Sequence, residues 1–253
     1  MKILVTNDDG IFAPGIQNLI EVAARFGEVT VVAPDKPQSG MGHAITTNNT
    51  LRINKVQLAH TVGAYACTGT PVDCVKMAIN VILHEKPDLI LSGINHGSNA
   101  SINVIYSGTM SAAVEGAMEK IPSIGFSLLD HSIDADFSAS KHFTKIIIQQ
   151  VITNGLPENT CLNVNIPKLH KDEIKGIKVC RQAIGNWEEE FEKRTDPSGN
   201  EYYWLTGTFK LYDSGDDIDI KALEDGYVSI VPVQFDMTAH NKLPEIQSIF
   251  QNV

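Results

Sequence analysis

What most constrains this chain is a series of short, nearly unbroken apolar runs, separated by stretches whose apolar residues recur at helical spacing. Residues 3–6 form the first run and residues 29–33 the second. A run without alternation is what a strand covered on both faces requires, whereas a half-exposed strand alternates apolar and polar residues. Between the two, a Gly/Pro turn leads into Ile16, Leu19, Ile20 and Ala23, with Pro14 near the helix entry where its missing N–H costs least. Thr70, Pro71 and Asp73 read as N-cap, N1 and N3 of a further helix with a capping-box pattern and a buried stripe of Val72, Val75, Ala78, Ile79 and Ile82. A short strand at 89–91 and on to Ser92 runs into SGINHGSN. A helix over 111–119, with Ser107 and Thr109 just ahead of it, and a strand at 124–127 follow. This alternation predicts an α/β fold: a doubly wound, mostly parallel, Rossmann-like sheet with crossover helices.

Beyond a helix at 137–152 the texture changes. CLNVNIP, IKGIKVC and EYYWLTGTFKLY are strand-rich, and Asp196, Pro197, Ser198 and Gly199 signal a turn between two extended arms. We read a C-terminal β-rich extension over approximately 177–213, with the chain returning through a helix at 218–223 and a strand at 227–231, all within a single domain, 1–253. Glu188, Glu189, Glu190 and Glu192 read as a solvated part of the extension, and Asp216, Asp217 and Asp219 as residues that cap or precede the short helix.

Composition bounds the partners. Thirty acidic against twenty basic residues give a formal charge of −10, which repels a phosphate backbone and excludes a general binder of long nucleic acid. The first apolar run is too short for a signal peptide, an acidic pair follows it, and no stretch has the length of a membrane span, so the expectation is a cytoplasmic protein with no membrane partner. The four cysteines, Cys67, Cys74, Cys161 and Cys180, lack the close spacing of a zinc site and read as buried free thiols.

The first run ends in NDDG, two adjacent carboxylates directly after a buried strand. One such Asp is explained as a helix cap, but two in succession repel each other without a positive partner. In a doubly wound sheet the carboxyl ends of the strands form one rim where ligands bind. Asp8 and Asp9 end strand one, Ser39 lies in the loop after the second strand, and Asn95 follows the strand ending at Ser92, so four oxygen donors from three loops meet there. That set suits one hard divalent cation per subunit, Mg²⁺ or Mn²⁺, with Ca²⁺ also accommodated. The glycine loops carry neither a complete dinucleotide fingerprint nor a GxxxxGK phosphate loop. YSGTMSAAVEG instead offers Ser107, Gly108 and Thr109 at a helix start, which is a site for phosphate.

The runs MKILVTNDDGIFAPGI, PQSGMGHAIT, CTGTPVDCVKMA, SGINHGSN and YSGTMSAAVEG, in that order, closely resemble the SurE family of survival-protein nucleotidases; RQAIGNWEEEF, YYWLTG and DIDIKALEDGYVSIVP continue the match. One departure is SIVPV, where the family usually reads SxTPL, with Val231 and Val233 at the changed positions. The resemblance implies a metal-dependent phosphomonoesterase, a phosphoric monoester hydrolase of acid-phosphatase type acting on nucleoside 5′- and 3′-monophosphates, and in some members on polyphosphate. It implies metal ligands at Asp8, Asp9, Ser39 and Asn95, and a homodimer or homotetramer in which the β extension and C-terminal segment are exchanged.

The expected chemistry gives Asp8 or Asp9 the task of orienting or deprotonating water, or of attacking directly, while Asn99, Ser107, Gly108 and Thr109 hold phosphate oxygens. His43 and His96 lie beside ligand residues as candidate acids for the leaving group, although backbone-satisfied loop histidines are the commoner case. The competing reading is a Mg²⁺-binding, receiver-like signalling or phosphate-binding protein without turnover. It lacks an Asp at the third-strand position and a Lys after IGFSLL. The aromatics Tyr202, Tyr203 and Trp204 read as strand or interface residues.

Overall fold

The computed structural model describes residues 1–251; positions 252–253 of the expected domain lie outside the described residues. In chain order the elements are β1 (Lys2–Thr6), α1 (Pro14–Ala23), β2 (Glu28–Pro34), β3 (Ile53–Val56), β4 (Gly63–Cys67), α2 (Pro71–Met77), β5 (Leu89–His96), α3 (Asn103–Tyr106) and α4 (Gly108–Met118). They continue with β6 (Ser123–Leu128), α5 (Ser138–Asn154), β7 (Thr160–Ile166), β8 (Ile177–Val179), β9 (Gly185–Thr195), β10 (Glu201–Leu211), α6 (Asp219–Glu224), β11 (Val228–Gln234) and α7 (Leu243–Ile249). A π-helical turn, Ala78–Leu83, prolongs α2.

Nine strands form one sheet in the order β3-β4-β2-β1-β5-β6-β7-β11-β8. The six central strands run parallel, and antiparallel pairing enters only where β3 meets β4 and β11 meets β7. The unbroken apolar runs have the predicted cause, because successive residues of β1 enter different cores. Ile3 and Val5 pack with residues of α1 and α5, while Leu4 packs on the other face with Cys74, Val75 and Ala78. The sheet is thus mixed and mostly parallel, with helices on both faces, as the alternation predicts.

The α2 entry matches its sequence signature. Thr70 Oγ1 accepts from the Asp73 N–H and the Asp73 carboxylate accepts from the Thr70 N–H, with Pro71 at the first turn. Two other boundaries differ from expectation. The helix expected over 111–119 begins at Gly108, because Ser107 caps it by accepting from the Met110 N–H; Thr109 is therefore inside the helix. The strand expected to end at Ser92 continues to His96 through a bulge between Ser92 and Asn95. Gly93 makes that bulge, with φ of 122° and a position where a Cβ would lie 2.3 Å from the Phe126 carbonyl oxygen.

Residues 177–179, which the sequence assigns with the extension, join the main sheet beside β11. The extension itself is the two-stranded antiparallel hairpin β9–β10, in register from Gly185↔Leu211 to Thr195↔Glu201. The acidic segment 188–192 lies within β9 with its side chains exposed, as a solvated part of the extension. Val231 is buried against Cys180 and Ala222, and half-buried Val233 packs between that cluster and Met110 and Cys161. All four cysteines are buried and unbridged. Among the described residues no helix is long and apolar enough to cross a membrane.

Candidate functional site

The carboxyl end of β1 delivers Asp8 and Asp9 to the rim. Asp8 is only 4% exposed, and its Oδ1 accepts a 2.5 Å hydrogen bond from Thr109 Oγ1. Burial raises its pKa first and the neighbouring Asp9 charge adds to that; the Thr109 hydroxyl pulls back, and the balance lies at about 6. Asp9 is half-buried and also raised by burial, an effect opposed by the His96 N–H, which donates to its Oδ2 at 3.1 Å.

Helix α4 points its first turn at this pair. Gly108 permits the approach, since a Cβ there would stand 2.7 Å from Asp8 Cβ and 3.0 Å from Asp8 Oδ2. The dipole of α4 therefore faces the rim, where the Thr109 backbone already supports the Asp8 carboxylate. The two hydroxyls beside it are already engaged, however. Ser107 Oγ is the helix cap and Thr109 Oγ1 donates to Asp8, so Thr109 positions the carboxylate.

The loop after β2 is stitched to the same place. The Gln38 N–H donates to the Asp8 carbonyl at 2.7 Å, which brings the adjacent, exposed Ser39 to the rim, and the Gly42 N–H donates to the Tyr106 carbonyl at 3.1 Å. Farther along, Asp73 accepts from the Thr46 N–H and hydroxyl, and Thr70 Oγ1 donates to the Ala44 carbonyl, so α2 holds the far end of the loop. Past the β5 bulge, Asn95 is buried and registers with Ser127; its Nδ2 donates to the Gly97 carbonyl. Asn99 is also buried, with Nδ2 donating to Ser127 Oγ, its N–H to Asn165 Oδ1 and its carbonyl accepting from Asn163 Nδ2. Asn99 is thus the centre of an amide network that braces β6 and β7.

The two candidate histidines sit differently. His43 pairs with Glu115 Oε2 at 3.0 Å, and Lys76 pairs with the other oxygen of the same carboxylate. Glu115 is 2% exposed; burial would raise its pKa, but its bonds to His43 and Lys76 outweigh that and hold it below the usual carboxylate range. His96 gives its backbone to Asp9, stacks edge-on with Phe137 at 5.2 Å, and leaves a buried Nε2 without a hydrogen bond.

Two residues escaped the sequence reading, and a third was read only as a helix residue. Glu115 is one, although a lone acid in the small-residue helix GTMSAAVEGAM was a visible signal. Asn7 is another: it is fully buried, donates from Nδ2 to the Gly10 carbonyl, and keeps an unpaired Oδ1 next to the Asp pair. Asp219 does begin α6, but it is completely buried and accepts from the N–H groups of Ser101, Ala183 and Ile220, tying the loop after β5 to the root of the hairpin.

The donors fit a hard divalent cation. They are oxygens throughout, the two carboxylates stand side by side, and what opposes the raised pKa of Asp8 is hydrogen bonding to Thr109 and backbone rather than a basic side chain. Among the described residues no cluster of three or more His, Cys, Asp or Glu forms a metal site of that composition; the expected set contains two acids, with an amide and a hydroxyl beside them.

Comparison with known proteins gives a consistent picture. The model of the family described as "Survival protein SurE" matches residues 3–189. A protein of Christiangramia forsetii named 5′-nucleotidase SurE is 63% identical over 248 residues, covering 97% of this chain and 95% of that one. One of Flavobacterium psychrophilum with the same name is 59% identical, covering 97% and 96%. The crystal structure of a SurE protein from Aquifex aeolicus superimposes with a TM-score of 0.84 at 40% identity, covering 99% of this chain and all of the other.

Proposed function

The chain belongs to the SurE family, and from that membership we propose that it is a 5′-nucleotidase, a phosphomonoesterase that releases phosphate from nucleoside 5′-monophosphates in a reaction that requires a divalent cation. The observation that carries the reading is the convergence of the Asp8–Asp9 pair, the Ser39 loop and the N-terminus of α4 on one rim of the sheet.

Asp8, Asp9, Ser39 and Asn95 would hold Mg²⁺ or Mn²⁺. When bound, the cation supplies charge neutralisation at the phosphoryl group and lowers the pKa of water. The α4 N–H groups receive the phosphate oxygens that the dipole favours, and Gly108 lets the phosphate come within reach of the carboxylates. Thr109 fixes Asp8 in one rotamer. Asp9, less buried than Asp8 and steadied by the His96 N–H, orients the attacking water and takes its proton. His43 is engaged by Glu115, and His96, which follows the ligand position Asn95 and reaches Asp9 through its N–H, is the histidine nearest the pair by chain connectivity. Nucleoside 3′-monophosphates and polyphosphate are further substrates within the proposal, as is use of the hairpin in a homodimer or homotetramer. Exposed Phe191, Tyr203, Trp204 and Leu205 support the oligomer.

The test is phosphate release from 5′- and 3′-monophosphates and polyphosphate by protein stripped with chelator and resupplied with Mn²⁺ or Mg²⁺. Activity should return with metal and be lost in Asp9→Asn. No release with any metal, in protein that retains its fold, refutes the reading.

A further inference from the structure

Ser39, a ligand of the proposed cation site, lies outside every helix and strand. Residues 35–52 link β2 to β3 as an irregular segment, and such a segment keeps a ligand in place only through its ties to the scaffold. On one side of Ser39 the tie is immediate, because the Gln38 N–H donates to the Asp8 carbonyl. On the other side lie Gly40 and Gly42, with φ of 75° and 55°, and a Cβ on Gly40 would meet nothing within 4 Å. Glycines in left-handed conformations, one of them in open space, are where a chain moves most freely. The segment is caught again at Gly42, by its backbone bond to Tyr106, and at His43, by a side chain.

The His43 tie runs to α4. Glu115 is buried and ionised, so its Oε2 can only accept, and His43 donates from Nε2 at 3.0 Å. Lys76, on α2, pairs with the other oxygen. Burial alone would raise the Glu115 pKa, and the bonds from His43 and Lys76 outweigh it. The side chains of His43 and Lys76 are 37% and 45% exposed, so water reaches both. Removing His43 therefore leaves a buried carboxylate that is still paired, not one stranded without a cation.

Helix α4 thus grips the site at two heights. Its first turn holds Asp8 through Thr109, and Glu115, farther along the same helix, holds His43. At 1.5 Å per residue the two grips stand about 9 Å apart on one rigid rod. A single helix fixes the Asp8 side chain and the Ser39 segment in one frame, which is what a cation with donors from both requires.

We propose that His43 is a positioning residue for the cation: anchored on Glu115, it holds the segment 39–43 against α4, so that Ser39 is in place before the cation arrives. The proposal rests on the metal reading of the rim. Lys76 keeps the anchor charged and in position. The Nε2 proton is committed to Glu115, so His43 acts on the site through the backbone that carries it and not by proton transfer. A ligand ordered in advance spares the binding step the entropy of ordering it.

The experiment is calorimetric titration of chelator-stripped protein with Mn²⁺. His43→Ala should weaken binding about tenfold, the low end for a residue that supports a metal ligand from behind. His43→Gln keeps a side-chain N–H for Glu115 and should recover to within about threefold of wild type. Action through Ser39 also requires non-additive losses: in a Ser39→Ala background, His43→Ala should cost less than about twofold more. Unchanged affinity in His43→Ala, no recovery in His43→Gln, or a full further loss in the Ser39→Ala background each overturns the proposal. A second readout needs no metal. In metal-free His43→Ala the Gly42 amide should exchange its hydrogen at least about tenfold faster than in wild type, while the Thr46 amide, held by Asp73, keeps its rate. Should the wild type take up no Mn²⁺, the metal reading has failed, and the Gly42 amide still decides the clamp: an unchanged rate there overturns it.

Discussion

Asp8 allows a quantitative test of the metal argument without any substrate. Its carboxyl is buried beside Asp9 and its pKa stands at about 6 against an ordinary 3.8. At about 1.4 kcal/mol per pH unit, ionising Asp8 in the metal-free fold costs at most about 3 kcal/mol. The sign follows from the direction. A carboxyl whose folded pKa is raised binds more protons in the native than in the unfolded state, so its contribution to stability is lost as pH rises from about 4 to about 6, and none of it returns above that range. In Asp8→Asn the shape and the bond from Thr109 are kept and the charge is gone. Calorimetric unfolding of chelator-stripped protein at fixed ionic strength should therefore find wild type and Asp8→Asn nearly level at pH 4. By pH 7.5 the wild type should have fallen behind by up to about 3 kcal/mol, roughly 6–12 °C in Tm for a chain of this size. Mn²⁺ at pH 7.5 should reverse the order, because only the wild type keeps both carboxylates to bind it. A gap between the two proteins that stays flat from pH 4 to 7.5 would show that Asp8 ionises in the metal-free fold at no cost. The reasoning that the pair needs a cation would then fail.

Two further perturbations address the surroundings of the pair. Gly108→Ala would drive a methyl to 2.7 Å from Asp8 Cβ, so isothermal titration should find Mn²⁺ affinity weakened at least about tenfold, with a stability loss of roughly 1–3 kcal/mol from overpacking; unaltered Mn²⁺ affinity would show that helix and carboxylate are not in the stated contact. Excising residues 186–210 leaves Gly185 and Leu211, which are register partners across the hairpin and can be rejoined by a short turn. Light scattering should then report a smaller assembly than that of the full chain, and an unchanged assembly would remove the hairpin from the interface.

How much of this was legible beforehand depends on how local the determinant is. The capping box at Thr70 and Asp73, the proline entry of α1 and the two-faced burial of β1 are written in neighbouring residues and were readable. The start of α4 was not, because Ser107 and Thr109 both look like residues ahead of a helix, and only the approach of Gly108 to Asp8 across the sheet rim reveals which of them caps. The bulge in β5 depends on crowding against Phe126 of the next strand, which no spacing in SGINHGSN records. The network around Asn99 was hidden because its partners, Ser127, Asn163 and Asn165, come from strands tens of residues later. The metal residues were readable as types and as rim positions, whereas the stitching of the Ser39 loop through Gln38 and Gly42 is backbone chemistry that side-chain identity does not encode. Strands β3 and β4 also went unseen, since INKV and GAYAC are short and weakly patterned.

The central position of β1 has a consequence for how the molecule is made. Its two neighbours, β2 and β5, are both joined to it in parallel and both come later in the chain, β5 by more than eighty residues. Closing so long a loop precedes any reward from the contact, and sheets of this kind form slowly. Strand β1, made before either neighbour, must therefore wait for the one that brings Asn95 and His96 beside it. Completion of the hydrophobic centre and assembly of the carboxylate rim are then a single late event, and a nascent chain halted before residue 96 carries Asp8 and Asp9 without the neighbours that position them.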